Sequence, residues 1–253
     1  MFPISDDNSD RHITPYVNYV FIAINILVFF LLQGMGGNQG FTYAFSTVPA
    51  EILTGQDMIT QPSIVNVQGQ SFQVPGLQPT PIPVYLTMIT SMFMHGGFAH
   101  LGGNMLFLWI FGDNIENRLG HSRYFAFYII CGIIASLAHV FTSYFFNMDL
   151  NIPSLGASGA ISGVMGAYLI LFPRRKVNVL LLRFIVAVPA MVSLGLWIVL
   201  QLVSGLGMLG GKSDGVAYAA HIGGFLAGML LIKFFDRGQG FVDQGLTKRN
   251  GYM

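Results

Sequence analysis

Two residues that could form a hydrolytic pair stand far apart in this chain, each at the start of an apolar segment. Ser158 lies in the motif G-A-S-G at 156–159, and His221 lies in A-H-I-G-G at 220–224. A serine hydroxyl is a weak nucleophile until a base such as histidine accepts its proton. Ser158 also has an ordinary alternative role, because serine is a favoured N-cap at a helix start. The pair predicts nucleophilic catalysis if the fold brings the two residues together.

A second pair of polar residues, His100 and Asn104, opens another apolar segment. Residues four apart share one face of a helix. Polar side chains inside a membrane are costly and are therefore functional candidates, although either residue could be a satisfied packing residue. His95 lies just before this segment and is expected to brace a loop through a hydrogen bond. His139 has no partner motif and is interpreted as a core histidine.

Small residues at helical spacing follow both halves of the serine–histidine pair. Gly159 and Gly163 form one G-x-x-x-G motif, and Gly224 and Gly228 form another. This spacing lets two membrane helices approach closely. The motifs therefore predict a close contact of the two segments, with Ser158 near His221. Generic helix packing is the alternative explanation, and it needs neither a serine nor a histidine.

The composition excludes several classes of protein. Of the 253 residues, 53% are hydrophobic and only 9% are charged, whereas a soluble domain carries roughly 25% charge. The net charge of +1 gives no strongly basic face for nucleic acid, and the single cysteine, Cys131, excludes an internal disulfide and a Cys-rich metal site. No H-E-x-x-H motif supports a metalloprotease. Neither a metal nor a cofactor is expected.

Hydropathy predicts an all-α polytopic membrane protein with six spanning helices. A span needs about 20 mostly apolar residues. The six segments are 16–32, 98–112, 124–146, 158–172, about 179–203, and 216–235. A long loop, 33–97, separates the first two. The fourth segment is short, about 22 Å at 1.5 Å per residue, so its Ser158 end must lie below the membrane surface in a water-filled cavity.

The basic residues indicate which side of the membrane each loop faces. Lys and Arg concentrate in cytoplasmic loops. In a six-span arrangement one side carries Arg11, Arg118, Arg123, Arg174, Arg175, Lys176, Arg183, Lys233, Arg237, Lys248 and Arg249. The opposite side carries only Lys212. Both tails, 1–15 and 236–253, are therefore predicted to be cytoplasmic, and Ser158, His221 and His100 to lie near the other face.

Taken together, these motifs resemble the rhomboid family of intramembrane serine proteases. They are H-G-G-F-A-H-L-G-G-N at 95–104, G-x-x-x-E-x-x-x-G at 112–120, the serine motif, and A-H-I-G-G-x-x-x-G at 220–228. They occur in the family's order and spacing, and the resemblance covers about 16–235. It implies a six-helix bundle whose first loop, 33–97, is partly embedded in the membrane.

The resemblance also implies roles for individual residues. Ser158 would be the nucleophile and His221 the general base, as a dyad, since no acidic residue stands near His221 in a span. His100, Asn104 and the backbone N–H of Ser158 would form the oxyanion hole. Structural roles are implied for Gly156, Gly159, Gly163, Gly224, Gly228, Glu116 and His95.

Two departures from the family pattern are visible. The first loop often carries a Trp-Arg pair, but residues 83–86 here read Pro-Val-Tyr-Leu. Some members place an aromatic residue against the catalytic histidine four positions after the nucleophile, where this chain has Ser162. Other groups must therefore brace the loop and position His221.

The function implied is an intramembrane serine endopeptidase that cleaves transmembrane segments of other proteins. Its expected partners are those substrates and the lipid bilayer, not nucleic acid, and the oligomeric state stays open. A bacterial inner membrane is the expected location, with the site opening to the extracytoplasmic side. One alternative is a proteolytically inactive rhomboid-like protein that binds membrane proteins. A transporter would need a polar path across the whole membrane.

Overall fold

The computed structural model describes residues 2–67, 70–209 and 216–236. They form a mostly helical protein with two small antiparallel sheets. The α-helices are α1 (Tyr16–Leu27), α2 (Gln39–Phe45), α3 (Pro49–Thr54), α4 (Thr87–Thr90), α5 (Phe98–Leu119), α6 (His121–Phe145), α7 (Ser158–Leu171), α8 (Ala190–Leu209) and α9 (Tyr218–Phe235). The strands are β1 (Phe2–Asp6), β2 (Ser63–Val67), β3 (Gln70–Val74), β4 (Lys176–Leu181) and β5 (Phe184–Pro189). Short π or 3-10 segments are Val28–Leu32, Gly34–Gly36, Val84–Leu86 and Ser91–Phe93.

Three of the described helices, α6, α8 and α9, are long and apolar enough to cross a membrane. Shorter apolar helical segments are Tyr16–Leu32, Val84–Phe93 and Ser158–Leu171. Helix α5 has 22 residues, and its second half carries the polar residues Asp113, Asn114 and Glu116. The apolar helices support the prediction of a membrane protein, and the count of six spans stays a prediction.

Helix α7 occupies the centre of the molecule, where it packs against α5, α6 and α9. Its closest neighbour is α9. A Cβ atom at Gly224 would overlap the carbonyl oxygen of Gly159, and one at Gly228 would overlap that of Gly163. The close contact predicted from the G-x-x-x-G spacing is therefore present, and glycine is required at these positions because backbone meets backbone.

The fifth predicted segment is wrong in its first part. Residues 179–189 belong to the hairpin of β4 and β5, in which Leu181 pairs with Phe184, and the helix begins only at Ala190. Both strands are rich in β-branched valine and isoleucine, which favour extended backbone. Hydropathy alone does not separate an apolar strand from an apolar helix. The expectation of an all-α chain is likewise incomplete, because two small sheets are present.

The N-terminal tail, 1–15, contains a strand that packs on the helices. Strand β1 pairs antiparallel with β4, with Phe2 opposite Leu180. Asp6 accepts hydrogen bonds from the Tyr168 hydroxyl at 2.6 Å and from Asn114 Nδ2 at 2.8 Å. The pairing joins residues more than 170 positions apart, so local sequence did not indicate it. The C-terminal tail expected at 236–253 lies outside the described residues beyond Asp236.

Glu116 is buried at the end of α5 opposite Ser158 and joins three helices. Its carboxylate accepts the backbone N–H groups of Val17 at 2.9 Å and Asn18 at 2.7 Å, in the first turn of α1. His121 Nδ1, at the start of α6, lies 2.5 Å from Glu116 Oε1. The carboxylate thus satisfies N–H groups that have no partner within their own helix.

Hydroxyl groups and backbone hold the first loop, in place of a Trp-Arg pair. Thr47 and Ser154 exchange backbone hydrogen bonds at 3.0 and 2.8 Å. The hydroxyl of Thr47 lies 2.8 Å from that of Ser91. The Gln33 side chain bonds the backbone N–H and C=O of His95 at 2.9 and 3.1 Å. These contacts fix the loop against the ends of α1, α5 and α7.

Candidate active site

Ser158 and His221 are brought together by the contact of α7 with α9. Ser158 Oγ lies 2.8 Å from His221 Nε2, which is hydrogen-bond distance for a hydroxyl and an imidazole nitrogen. The two residues are 63 positions apart in the chain. This is the arrangement in which a histidine can accept a serine proton.

The Ser158 hydroxyl does not cap its own helix. Helix α7 begins at Ser158, its N-cap is Ala157, and the cap makes no side-chain hydrogen bond. The alternative of Ser158 as an ordinary N-cap therefore does not describe this helix. Gly156, two residues earlier, has a backbone φ of +130°, a conformation that glycine adopts without strain.

His100 lies against this turn from α5. Its Nδ1 accepts a hydrogen bond from the backbone N–H of Gly96 at 3.3 Å, and a backbone N–H can only donate. The neutral ring therefore carries its proton on Nε2. A Cβ atom at Gly156 would come within 2.8 Å of His100 Cε1 and Nε2 and 3.7 Å of Ser158 Oγ. The glycine makes room for a histidine donor next to the serine.

Asn104 lies one turn further along α5 and is buried, with 8% of its surface exposed. Its amide nitrogen makes no hydrogen bond to any residue that the structure describes. Asn104 and His100 line the same cavity as Ser158. A buried donor of this kind is costly unless something accepts from it. Both side chains can thus donate hydrogen bonds into the space beside the serine.

The cavity has a volume of about 820 Å³. Its lining is mainly apolar, and its polar side chains include His100, Asn104, His139, Ser158 and His221. Asp149, in the segment between α6 and α7, is the only carboxylate among the described lining residues. The space is large enough for several residues of a peptide in extended form.

Two residues of α8 that the sequence analysis did not single out contact His221. Gln201 Oε1 lies 2.7 Å from His221 Nδ1. The Trp197 ring packs on the imidazole with centroids 5.9 Å apart. Gln201 could have been found by the rule that a polar residue inside an apolar segment is a functional candidate. The partnership with His221 had no local signal.

Ser162 stands at the position where some members of the resembled family place an aromatic residue against the histidine. Its hydroxyl donates to the carbonyl oxygen of Ser158 at 2.6 Å, and Trp197 of α8 supplies the aromatic contact to His221 instead. His95 is fully buried, but it braces the loop through its backbone, because its ring nitrogens bond none of the described residues. His139, interpreted from the sequence as a core histidine, has a buried Nδ1 that bonds none of the described residues, and it also lines the cavity.

The polar residues of the described chain do not gather as metal ligands. No group of three or more His, Cys, Asp or Glu side chains is placed to hold a metal ion within the ranges that the structure describes.

Comparison with known proteins decides the family. The model of the Rhomboid domain matches residues 84–237, which is more than half of the chain. The chain belongs to the rhomboid family. The matched residues include the three helices that carry His100, Ser158 and His221, and the α8 helix that contacts them.

Named relatives of this rhomboid come from bacteria and from mitochondria. It is 36% identical to Rhomboid protein 1, mitochondrial, of Saccharomyces cerevisiae over 159 residues, 61% of this chain and 43% of that protein. It is 30% identical to Rhomboid protease GluP of Bacillus subtilis over 213 residues, 83% of this chain and 35% of that protein. It is 34% identical to Presenilin-associated rhomboid-like protein A, mitochondrial, of Danio rerio over 156 residues, 59% of this chain and 37% of that protein.

The matched part covers less than half the length of each of these relatives. Family membership and the apolar helices together make this chain an integral membrane protein. One relative is named a protease, which supports proteolysis at the level of the family.

Proposed function

We propose that this rhomboid is an intramembrane serine endopeptidase that hydrolyses peptide bonds in or near transmembrane segments of other proteins. The observation that carries the proposal is the 2.8 Å contact of Ser158 Oγ with His221 Nε2, at the wall of a cavity of about 820 Å³. The partners in this proposal are the substrate proteins and the surrounding bilayer.

In the first half of the reaction, Ser158 Oγ attacks the carbonyl carbon of the scissile bond while His221 Nε2 takes its proton. The tetrahedral intermediate collapses when His221 donates that proton to the departing amine. An acyl-enzyme ester on Ser158 is left. Water, deprotonated by His221, then attacks the ester and releases the second product with the serine restored.

The oxyanion of each intermediate needs donors that are in place before the reaction. We assign these to His100 Nε2–H, Asn104 Nδ2–H and the backbone N–H of Ser158. The start of α7 adds the positive end of its helix dipole. Removing one such donor typically costs about 10²–10³ in kcat.

The proposed membrane arrangement has six spans, which are α1 with its π-helical continuation, α5, α6, α7, α8 and α9. The loop 33–97 then lies on the side of the active site. Arg11, Arg118, Arg123 and Arg175 lie together on the opposite side, where the positive-inside rule favours the cytoplasm. A bacterial inner membrane is the location proposed, with the site opening to the extracytoplasmic side.

A single purified preparation tests the proposed chemistry. The protein in detergent micelles is given a fluorogenic peptide that contains a transmembrane segment, and separately a serine-reactive fluorophosphonate probe. The wild type should cleave the peptide and take up the probe, and Ser158→Ala and His221→Ala should do neither. Ser193→Ala, which removes a buried serine outside the cavity, is the matched control and should retain both.

Probe uptake or cleavage that persists in Ser158→Ala would contradict the assigned nucleophile. A folded wild type that shows neither reaction would instead favour the inactive, protein-binding member of the family.

A further inference from the structure

We propose, building on the protease function proposed above, that Gln201 is a positioning residue that holds His221 in the tautomer able to take the Ser158 proton. Gln201 contacts His221 and is not among the described residues that line the cavity. It acts through the far nitrogen of the imidazole.

The two ring nitrogens of His221 have different partners. Nδ1 lies 2.7 Å from Gln201 Oε1, and Nε2 lies 2.8 Å from Ser158 Oγ. An amide oxygen can only accept, so Nδ1 must carry the proton of the neutral ring. Nε2 then presents its lone pair to the serine hydroxyl, as a general base requires.

The other tautomer is disfavoured by the same two contacts. With the proton on Nε2, the lone pair of Nδ1 would face the oxygen of Gln201, and two acceptors would meet without a hydrogen between them. The ring would also have to donate to Ser158 Oγ, and it could not accept the serine proton. One hydrogen bond to Gln201 therefore selects the reactive form.

Helix α8 also fixes the plane of the ring. Trp197 lies four residues before Gln201, on the same helix face, and its ring is tilted 36° to the imidazole at 5.9 Å between centroids. Trp197 is in turn packed on Phe225 of α9 at 5.9 Å. The hydrogen bond and the aromatic contact act in different directions, so together they define one orientation of His221.

Gln201 gives this orientation without adding a negative charge. Among the residues that the structure describes, Ser158 from α7 and Tyr218 from its own helix also face His221, and the cavity holds His100 from α5, His139 from α6 and Asp149 from the α6–α7 segment. Gln201 is the described residue whose side chain lies within hydrogen-bond distance of Nδ1. A carboxylate in place of the amide would accept the same hydrogen and would also stabilise the imidazolium, which the amide cannot do.

Two substitutions separate orientation from simple packing, in the full chain in detergent. Gln201→Leu keeps the bulk but loses the acceptor. We expect its kcat and its rate of fluorophosphonate labelling to fall together by about 10- to 100-fold, a part of what a general base contributes, with KM little changed. Leu202→Ala, on the exposed side of the same helix, is the matched control and should retain both rates.

Gln201→Glu is the rescue variant. We expect its labelling rate to exceed that of Gln201→Leu by at least tenfold. We also expect the acidic limb of its pH–rate profile to move to higher pH by about one unit or more, since a carboxylate next to the ring favours imidazolium. A residue that served only to pack α8 would not move this limb.

A third measurement needs no activity and no variant of Gln201. Nitrogen NMR of protein labelled with ¹⁵N-histidine, with His221→Ala to assign the signal, should show His221 protonated on Nδ1 at neutral pH. It remains decisive if either Gln201 variant fails to fold.

The outcomes that overturn the proposal are distinct from those that overturn the protease function. Labelling of Gln201→Leu within twofold of wild type, a Gln201→Glu variant no faster than Gln201→Leu, or an Nε2-protonated His221 would each reject the role of Gln201. Activity that survives in Ser158→Ala would reject the protease function itself.

Discussion

At the scale of single residues, the neighbours of two histidines in one cavity favour opposite proton positions on their rings. His221 faces the amide oxygen of Gln201 through Nδ1, so its Nε2 is an acceptor toward Ser158. His100 faces the backbone N–H of Gly96 through Nδ1, so its Nε2 is a donor. In the proposed mechanism the same side chain thus serves as a base in one place and as an oxyanion donor in the other, because the partner of the far nitrogen differs.

The donor role predicts the effect of removing either side chain. His100→Ala and Asn104→Ala should each lower kcat for peptide cleavage by about 10²–10³, as loss of one preformed donor does, with a smaller effect on KM. Steady-state cleavage of the fluorogenic transmembrane peptide measures this. His12→Ala, in the exposed tail, serves as the control and should behave as wild type. Unchanged turnover in both cavity variants would refute the proposed oxyanion hole.

At the scale of elements, the approach of α7 to α9 determines whether the serine and histidine meet. Gly163 on α7 and Gly228 on α9 are in backbone contact, and any side chain at Gly228 would overlap the carbonyl oxygen of Gly163. The distance between Ser158 and His221 is therefore a consequence of glycine spacing one to two helical turns further along α7 and α9.

A glycine substitution tests this dependence. Gly228→Ala should force the helices apart, lower the thermal midpoint of unfolding by an amount equivalent to about 1–3 kcal/mol, and reduce fluorophosphonate labelling of Ser158. Gly195→Ala on α8, where a Cβ atom would meet nothing within 4 Å, is the matched control and should leave both unchanged. If the two variants behave alike, helix separation is not what limits the site.

Strand β1 is attached to the helices through a carboxyl group with an unusual pKa. Burial raises the pKa of Asp6 from 3.8 to about 7, and the nearby Asp113 adds to this, against the opposing effects of the Tyr168 hydrogen bond and the Arg175 charge. A raised folded-state pKa means that folding takes up a proton between about pH 4 and pH 7. The attachment of β1 should therefore weaken as the pH rises through this window.

Hydrogen exchange measures that pH dependence directly. The amides that pair β1 with β4 should lose protection, after correction for intrinsic exchange rates, as the pH rises from about 4 to about 7. Asp6→Asn, which cannot ionise, should remove this trend, whereas Asp7→Asn, an exposed neighbour, should keep it. The same slope in wild type and Asp6→Asn would show that another group titrates.

At the scale of the whole molecule, the arginine ion pairs and the proposed active site lie at opposite ends of the helices. Arg11, Arg118 and Arg175 form ion pairs with Asp113, Asp236 and Asp10 at 3.0, 2.9 and 2.5 Å, near the Glu116 end of α5. Ser158, His221, His100 and Asn104 line the cavity at the other end. This separation predicts a fixed orientation across the bilayer.

Impermeant thiol labelling in intact cells tests the orientation. Cys131 is the only cysteine and is buried, so it can be replaced by serine to give a silent background. In that background Asn151→Cys, beside the cavity, should react from outside, and Ser122→Cys, at the start of α6, only after permeabilisation. Both positions are exposed. The reverse pattern would invert the proposed topology.

The sequence by itself predicted the residues of the proposed active site and indicated a membrane protein. Scarce charge required a membrane, and Ser158, His221, His100 and Asn104 were recognisable because polar groups in apolar segments are few. The glycine spacing predicted which helices touch. These features are local in the chain, so motif and hydropathy capture them.

Only the tertiary structure decided how His221 is held and where the chain is not helical. Gln201 meets the imidazole because α8 packs beside α9, and no residue pattern within either helix encodes that contact. Strands β4 and β5 have the hydropathy of a span, but β4 pairs with β5 and with β1, which comes from the far end of the chain. Contacts between segments that are distant in the chain depend on the packed fold, because the sequence of each helix or strand by itself would allow it to pack against several different elements.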